Sequence, residues 1–181
     1  LERLASAGLL VRRQGVGTFV ADTRVARIAS RLLGFREDAR AQGLEPHTRV
    51  LGTSHEPVGA EDGGLLSLDP AAQVLRVRRL RFNGDEPIGI NTVVVMPAFV
   101  ADLAGLNYVD SFYEGVARTL GSEVEQAETT TEAVAASAGD AELLEIEAGA
   151  PLLRSTRVTY LADGRLVGLT RTIYRGDRYY F

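Results

Sequence analysis

Two stretches of the chain alternate with the period of a β-strand. In Val74-Leu-Arg-Val-Arg-Arg-Leu-Arg-Phe82 the side chains of Leu75, Val77, Arg79 and Arg81 fall on one face, because residues two apart on a strand share a side. Two arginines therefore end an otherwise apolar row, on the side where a core belongs. In the second stretch, Val167 to Tyr179, the face made by Gly168, Thr170, Thr172 and Tyr174 is polar but uncharged. A guanidinium pair and a row of hydroxyls in one domain suit a small polar anion. The partner of the arginine strand is easy to find. Asn83-Gly84 is a hairpin signal, and Ile88 to Met96 follows it with Gly89, Asn91, Val93 and Val95 on one face. Asp163-Gly164 marks a second hairpin, between strands predicted over Leu152–Tyr160 and Leu166–Tyr174.

The remaining elements follow from period and punctuation. Leu1 to Gly8 reads as the last turns of a helix closed by a glycine, and Leu9 to Val20 as a hairpin around Gln14-Gly-Val-Gly17. Ala21 to Ala29 has no period and is expected to be a mobile hinge. Leu32 to Gln42 carries an apolar stripe and is predicted helical; Thr48 to Ser54 is predicted as strand and Ala60 to Leu68 as a short helical turn. A short helix is expected over Ala98–Leu106. Ser111-Phe-Tyr-Glu114 is a capping box that opens a helix to Leu120, ended by Gly121. Such a cap can serve the helix alone or also face a ligand, since free N–H groups and positive potential gather there. Val124 to Ala135 reads as strand, and Ser137-Ala-Gly-Asp140 as a second cap, for a helix over Ala141–Glu147. The sum is an α+β domain: an antiparallel sheet with inserted helices, preceded by a hairpin.

Composition narrows the chemistry. The chain has 181 residues, 45% of them hydrophobic, with a formal net charge of −4. That balance excludes a nucleic-acid binder that works through its whole surface and leaves room only for a local basic patch. Cysteine is absent, so disulfides, thiolate metal sites and a cysteine nucleophile are excluded; this suits a reducing, cytoplasmic location. His47 and His55 stand too far apart to share a metal and read as surface or half-buried polar residues. No cofactor and no metal are expected. No apolar run approaches the length of a membrane span, and the first residues lack both a signal-peptide pattern and an initiator Met. A chain truncated upstream is the expectation.

The helix tail, the glycine-tipped hairpin and the exit Gly17-Thr-Phe19 occur in the order found in a GntR-type winged helix-turn-helix, and residues 1–22 resemble its C-terminal remnant, recognition-helix tail plus wing. The resemblance implies that Arg12 and Arg13 touch DNA backbone or minor groove. Without the preceding helices, this fragment is expected to bind DNA poorly.

Residues 23–181 resemble the UTRA domain, the effector-binding domain of the HutC branch of GntR regulators, which has a chorismate-lyase-like fold. The landmarks are Phe35-Arg-Glu-Asp38, Arg79-Leu-Arg81 with Gly84-Asp-Glu-Pro-Ile88, Ser111-Phe-Tyr113, Thr131-Glu-Ala-Val134 and Tyr174-Arg-Gly-Asp-Arg-Tyr179. The resemblance implies a cytoplasmic, homodimeric transcriptional regulator, a repressor by preference, that binds a small anionic metabolite such as a sugar phosphate and thereby modulates its hold on operator DNA. Arg79, Arg81 and Ser111 match the family's phosphate-binding groups. Asn91, Tyr113, Thr170 and Tyr174 are expected to line the remainder. Two positions depart from the amino-sugar-phosphate binders, which often carry Glu where this chain has Asn91 and Gly168. Losing both carboxylates argues for a different anion, and Gly168 is expected to enlarge the pocket.

Alternatives remain at this stage. Arg79 and Arg81 could instead pair with this chain's carboxylates. The domain could be an enzyme of chorismate-lyase-like fold acting on a small anion, although no convergent acid–base set is visible. It could also be a dimerisation module without a ligand.

Overall fold

The computed structural model describes residue 3 and residues 10–13, 15–20, 25–26, 35–41 and 43–180. Its centre is a six-stranded sheet built from β4 (Pro46–Pro57), β5 (Gln73–Asn83), β6 (Glu86–Val95), β7 (Val124–Ala135), β8 (Pro151–Leu161) and β9 (Leu166–Arg175). The order is β4-β5-β6-β9-β8-β7, with every neighbouring pair antiparallel. Both expected hairpins are present. Each turns on a glycine at positive φ, Gly84 at 55° and Gly164 at 82°, where a side chain would be strained. The two hairpins meet side by side through β6 and β9.

That junction sets one face of the sheet in rows. Arg79 lies opposite Asn91, Asn91 opposite Thr172, and Thr172 opposite Ser155. The next row runs Val77, Val93, Thr170, Arg157 and Thr129. The half of this face that holds Leu75, Val77, Val93 and Val95 is a core. It is filled by Phe99 of a 3-10 turn (Pro97–Phe99), Leu103 of α3 (Val100–Leu103) and Val116 of α4 (Phe112–Leu120). The opposite face packs Val74, Val94 and Leu169 against Leu66 of α2 (Ala60–Leu66). Farther along, it packs Leu80, Ile90 and Leu152 against Leu144 of α5 (Ala138–Leu144).

Local chemistry explains the helix ends. Ser111 and Ser137 are N-caps whose hydroxyl oxygens accept from the N–H of Glu114 and Asp140. Because a cap places the first helical residue directly after it, α5 begins at Ala138, three residues earlier than expected, and closes on Glu145 in the left-handed region. The helix expected over 98–106 splits into the 3-10 turn and α3. The helix near residue 35 is described as α1 (Phe35–Ala41).

Nearer the N-terminus, β1 (Leu10–Arg13) and β2 (Gly17–Val20) form the expected hairpin, with Arg13 opposite Gly17. The helix expected over 1–8 lies outside the described residues except at Arg3, which is helical. The hinge expectation for 21–29 needs correction where it can be tested. Val25–Ala26 form β3, which pairs in parallel with β10 (Tyr179–Tyr180) and so ties this segment to the end of the chain. Two extended residues beside a free strand edge satisfy backbone groups that a coil would leave to water.

Candidate anion-binding cleft

Where the apolar row of β5 ends, the face opens into a cleft of roughly 550 Å³ of non-atom space, counted out to its mouth. The strands supply Arg79, Arg81, Asn91, Thr170, Thr172 and Tyr174; the start of α4 supplies Ser111, Phe112 and Tyr113. All seven residues expected from the sequence to bind a ligand thus line one space. Ser111 is both cap and lining: its oxygen accepts from Glu114 N–H at 3.5 Å, and it faces the arginines.

Arg79 is the deepest cation, 1% exposed. Its Nε and Nη2 donate to Asn91 Oδ1 at 3.0 and 2.5 Å, and its Nη1 donates to the carbonyl of Tyr108 at 3.1 Å. Asn91 passes the bond on, donating from Nδ2 to Thr172 Oγ1 at 2.7 Å. Arg79's own partners are an amide and a backbone carbonyl, and among the described residues it has no carboxylate. Burial, and then the neighbouring charge of Arg81, push its pKa well below the usual guanidinium value. Arg81 donates from Nη1 to Thr48 Oγ1 at 2.6 Å, and its guanidinium carbon lies 4.9 Å from the centre of the Phe35 ring. A glutamate in place of Asn91 would neutralise Arg79. The amide instead orients the guanidinium and leaves its charge for something else.

Tyr174 lies flat against Tyr179, ring centres 3.8 Å apart at 12°. Gly89 makes room for it: a Cβ there would stand 3.0 Å from the Tyr174 ring and 2.9 Å from the Ile173 carbonyl oxygen. At the mouth, Arg36 of α1 reaches across to Asp110, Nη1 to Oδ1 2.6 Å, which links that helix to the loop before α4.

Sequence reasoning missed Arg157. It stands on β8 opposite Thr170, lines the cleft and is 4% exposed. The signal was available, because the Asp163-Gly164 hairpin fixes that pairing. Ser155 was missed with it, being two residues away on the same face of β8, and Phe35 because it stands on α1, whose packing against the sheet no local pattern shows. Gly168 was read wrongly. A Cβ there would run into the Val94 carbonyl oxygen of β6, so this glycine permits a close approach of two strands and does not widen the cleft. The DNA candidates lie elsewhere, Arg12 exposed on β1 opposite Thr18 and Arg13 beside the hairpin tip; His47 and His55 are exposed on β4. Among the described residues, no group of His, Cys, Asp and Glu could hold a metal, and no helix is long and apolar enough to cross a membrane.

Comparison with known proteins bears on the family and the fold. A family model described as the UTRA domain matches residues 41–180. The transcriptional repressor NagR of Bacillus subtilis is 29% identical over 181 residues, covering 100% of this chain and 74% of its own length. A histidine utilization repressor of Pseudomonas aeruginosa is 28% identical, covering 99% of this chain and 71% of that protein. The crystal structure of PhnF from Mycobacterium smegmatis superposes with a TM-score of 0.79 at 26% identity, covering 99% of this chain and 79% of the other.

Proposed function

We propose, for a chain that belongs to the UTRA domain family of GntR-type, HutC-like transcriptional repressors, that the cleft binds a small anionic effector, a sugar phosphate among the candidates, and that occupancy changes the protein's hold on operator DNA. The relatives are regulators and not enzymes. The observation that carries the proposal is Arg79: a cation 1% exposed, hydrogen-bonded only to neutral groups among the described residues, with Arg81 and the capped start of α4 beside it. A buried charge without a countercharge is costly, and an anion that brings its own hydrogen-bond acceptors relieves it. In the same reading residues 1–22 are the end of the DNA-binding domain, Arg12 and Arg13 contact DNA from the wing, and residues 23–181 bind the effector and form a homodimer that presents two wings to two half-sites.

Calorimetry with sugar phosphates, phosphonates and small carboxylates tests the site. Charge-assisted bonds are worth roughly 1.5–3 kcal/mol each, so Arg81→Ala should weaken the best ligand about 10- to 150-fold while circular dichroism stays unchanged. A ligand held as tightly by Arg81→Ala as by the wild type would overturn the assignment. Light scattering that gave a monomer would remove the dimer.

A further inference from the structure

We propose that Arg157 is a second anion anchor, so that the effector is a polar molecule carrying two anionic groups, one at each end of the cleft. This rests on the reading of the cleft as an effector site and adds to it the chemical class of the ligand. Two observations carry it. First, the lining includes the arginines 36, 79, 81 and 157 and, among the described residues, no Asp or Glu. Arg36 pairs with Asp110 at the mouth, whereas Arg79 and Arg157 have no carboxylate partner among the described residues. Second, Arg157 is anchored at one point only. Its Nε donates to Thr129 Oγ1 at 3.1 Å, while Nη1 is closed off from solvent and has no hydrogen-bond partner. Arg157 lines the cleft, so a small turn of its guanidinium would bring this unused donor to a ligand oxygen.

One anion cannot serve both anchors. Arg79 is held over β6 by Asn91, and Arg157 is held toward β7 by Thr129. Strand β9 and part or all of β8 separate those positions, so the two guanidinium groups stand between two and three strand spacings apart, roughly 10–14 Å. A phosphate or carboxylate is far smaller than that. The floor between them is neutral and hydroxylated, formed by Thr170, Thr172 and Ser155. The matching ligand has a hydroxylated or otherwise polar body with an anion at either end, in the manner of a phosphorylated sugar acid or a sugar diacid.

Matched probes test this: gluconate against glucarate, and glucose phosphate against phosphogluconate, by thermal shift and calorimetry on the wild type and on Arg157→Met. In each pair the second member adds one carboxylate at the far end. The wild type should prefer the two-ended member by about tenfold or more, and R157M should lose that preference, its affinity falling more for the two-ended member than for the one-ended one. R157M without ligand should unfold at the wild-type temperature or above it, since a buried unpaired cation has been removed. If R157M fails to fold, Arg157→Lys, which keeps the charge but not the fork, should show a reduced preference. Equal binding of both members by the wild type would overturn the second anchor and leave the anion cleft standing. Stabilisation by none of the four probes at millimolar concentration would overturn both.

Discussion

The two faces of the sheet treat arginine in opposite ways. On the face under α2 and α5, Arg76 meets Glu56 at 2.6 Å and Asp62 at 2.9 Å, Arg171 meets Glu61 at 2.9 Å and Asp62 at 2.7 Å, and Arg78 meets Asp140 at 2.9 Å. On the cleft face, one residue farther along the same strand, Arg79 is given an amide and a carbonyl, and Arg157 a hydroxyl. The chain is acidic overall, so carboxylates are not scarce. Among the described residues none of them lines the cleft, and Asp110 at its mouth is taken up by Arg36. A guanidinium that is structural is paired within the protein; one that is hydrogen-bonded to neutral groups is oriented but left charged. The difference separates scaffold from site more sharply than burial does, because Arg76 and Arg171 are largely withdrawn from water, as Arg79 and Arg157 are.

The largest effect that would test this contrast lies at Asp62, which is 4% exposed and serves both Arg76 and Arg171. Its Oδ1 approaches Arg171 as an ion pair without hydrogen-bond alignment, while Oδ2 accepts from Arg76 Nη1. Asp62→Asn keeps the shape and removes the charge, leaving two guanidinium groups to the more exposed Glu56 and Glu61. Stability to urea should fall by about 3 kcal/mol, the range for breaking a buried ion pair. Binding of any anion in the cleft should be unchanged. A fall of less than about 1 kcal/mol would mean the pairing on this face is not what holds α2 to the sheet.

Tyr108 gives the next effect, and it appears only at high pH. Its hydroxyl donates to the Leu103 carbonyl at 2.9 Å, its own carbonyl accepts from Arg79, and burial pushes its pKa from near 10 up to about 12 in spite of the pull of Arg79. A pKa raised in the folded state means that the unfolded chain loses its proton first as pH rises. The stability from this group is therefore complete below pH 10 and is lost between about 10 and 12, by no more than about 3 kcal/mol. Tyr108→Phe should lack that alkaline loss. Denaturation curves for the two proteins across this range should converge as pH rises; parallel curves would show that Tyr108 titrates normally.

Much of this contrast was legible before any coordinates. The period of two on β5 placed Arg79 and Arg81 with Leu75 and Val77, and the capping box placed Ser111 at a helix start, because both signals are local. What could not be read was anything that depends on which strands lie side by side. The Asp163-Gly164 hairpin sets Arg157 opposite Thr170, but nothing local shows that β9 lies against β6, which is what brings Arg157 to the arginines of β5. Gly168 looked like open space, because the sequence carries no trace of the Val94 carbonyl that sits where its Cβ would go. The β3–β10 pair joins residues near the two ends of the described chain, a contact that no short window contains.

The smallest effect compares adjacent residues. Arg78 and Arg79 are neighbours on β5 and point to opposite faces. Arg78 is exposed at 46% of its side chain and pairs with Asp140, which also accepts from the Ser137 hydroxyl at the cap of α5. An exposed pair of this kind is worth about 0.5 kcal/mol and is screened by salt, so Arg78→Ala should destabilise by about that amount in dilute buffer and by almost nothing at 1 M sodium chloride. Arg79→Met should behave otherwise. Losing the bonds to Asn91 and Tyr108 costs stability, and losing a buried unpaired charge restores it, so the net change should stay within about 1 kcal/mol at any chloride concentration. The two variants then part on addition of inorganic phosphate. Phosphate should raise the unfolding temperature of wild type and Arg78→Ala alike, through binding to the folded state, and leave Arg79→Met where it was. If phosphate stabilised all three equally, it would be acting on the surface as a whole, and the two faces of the sheet would not differ in the way their partners suggest.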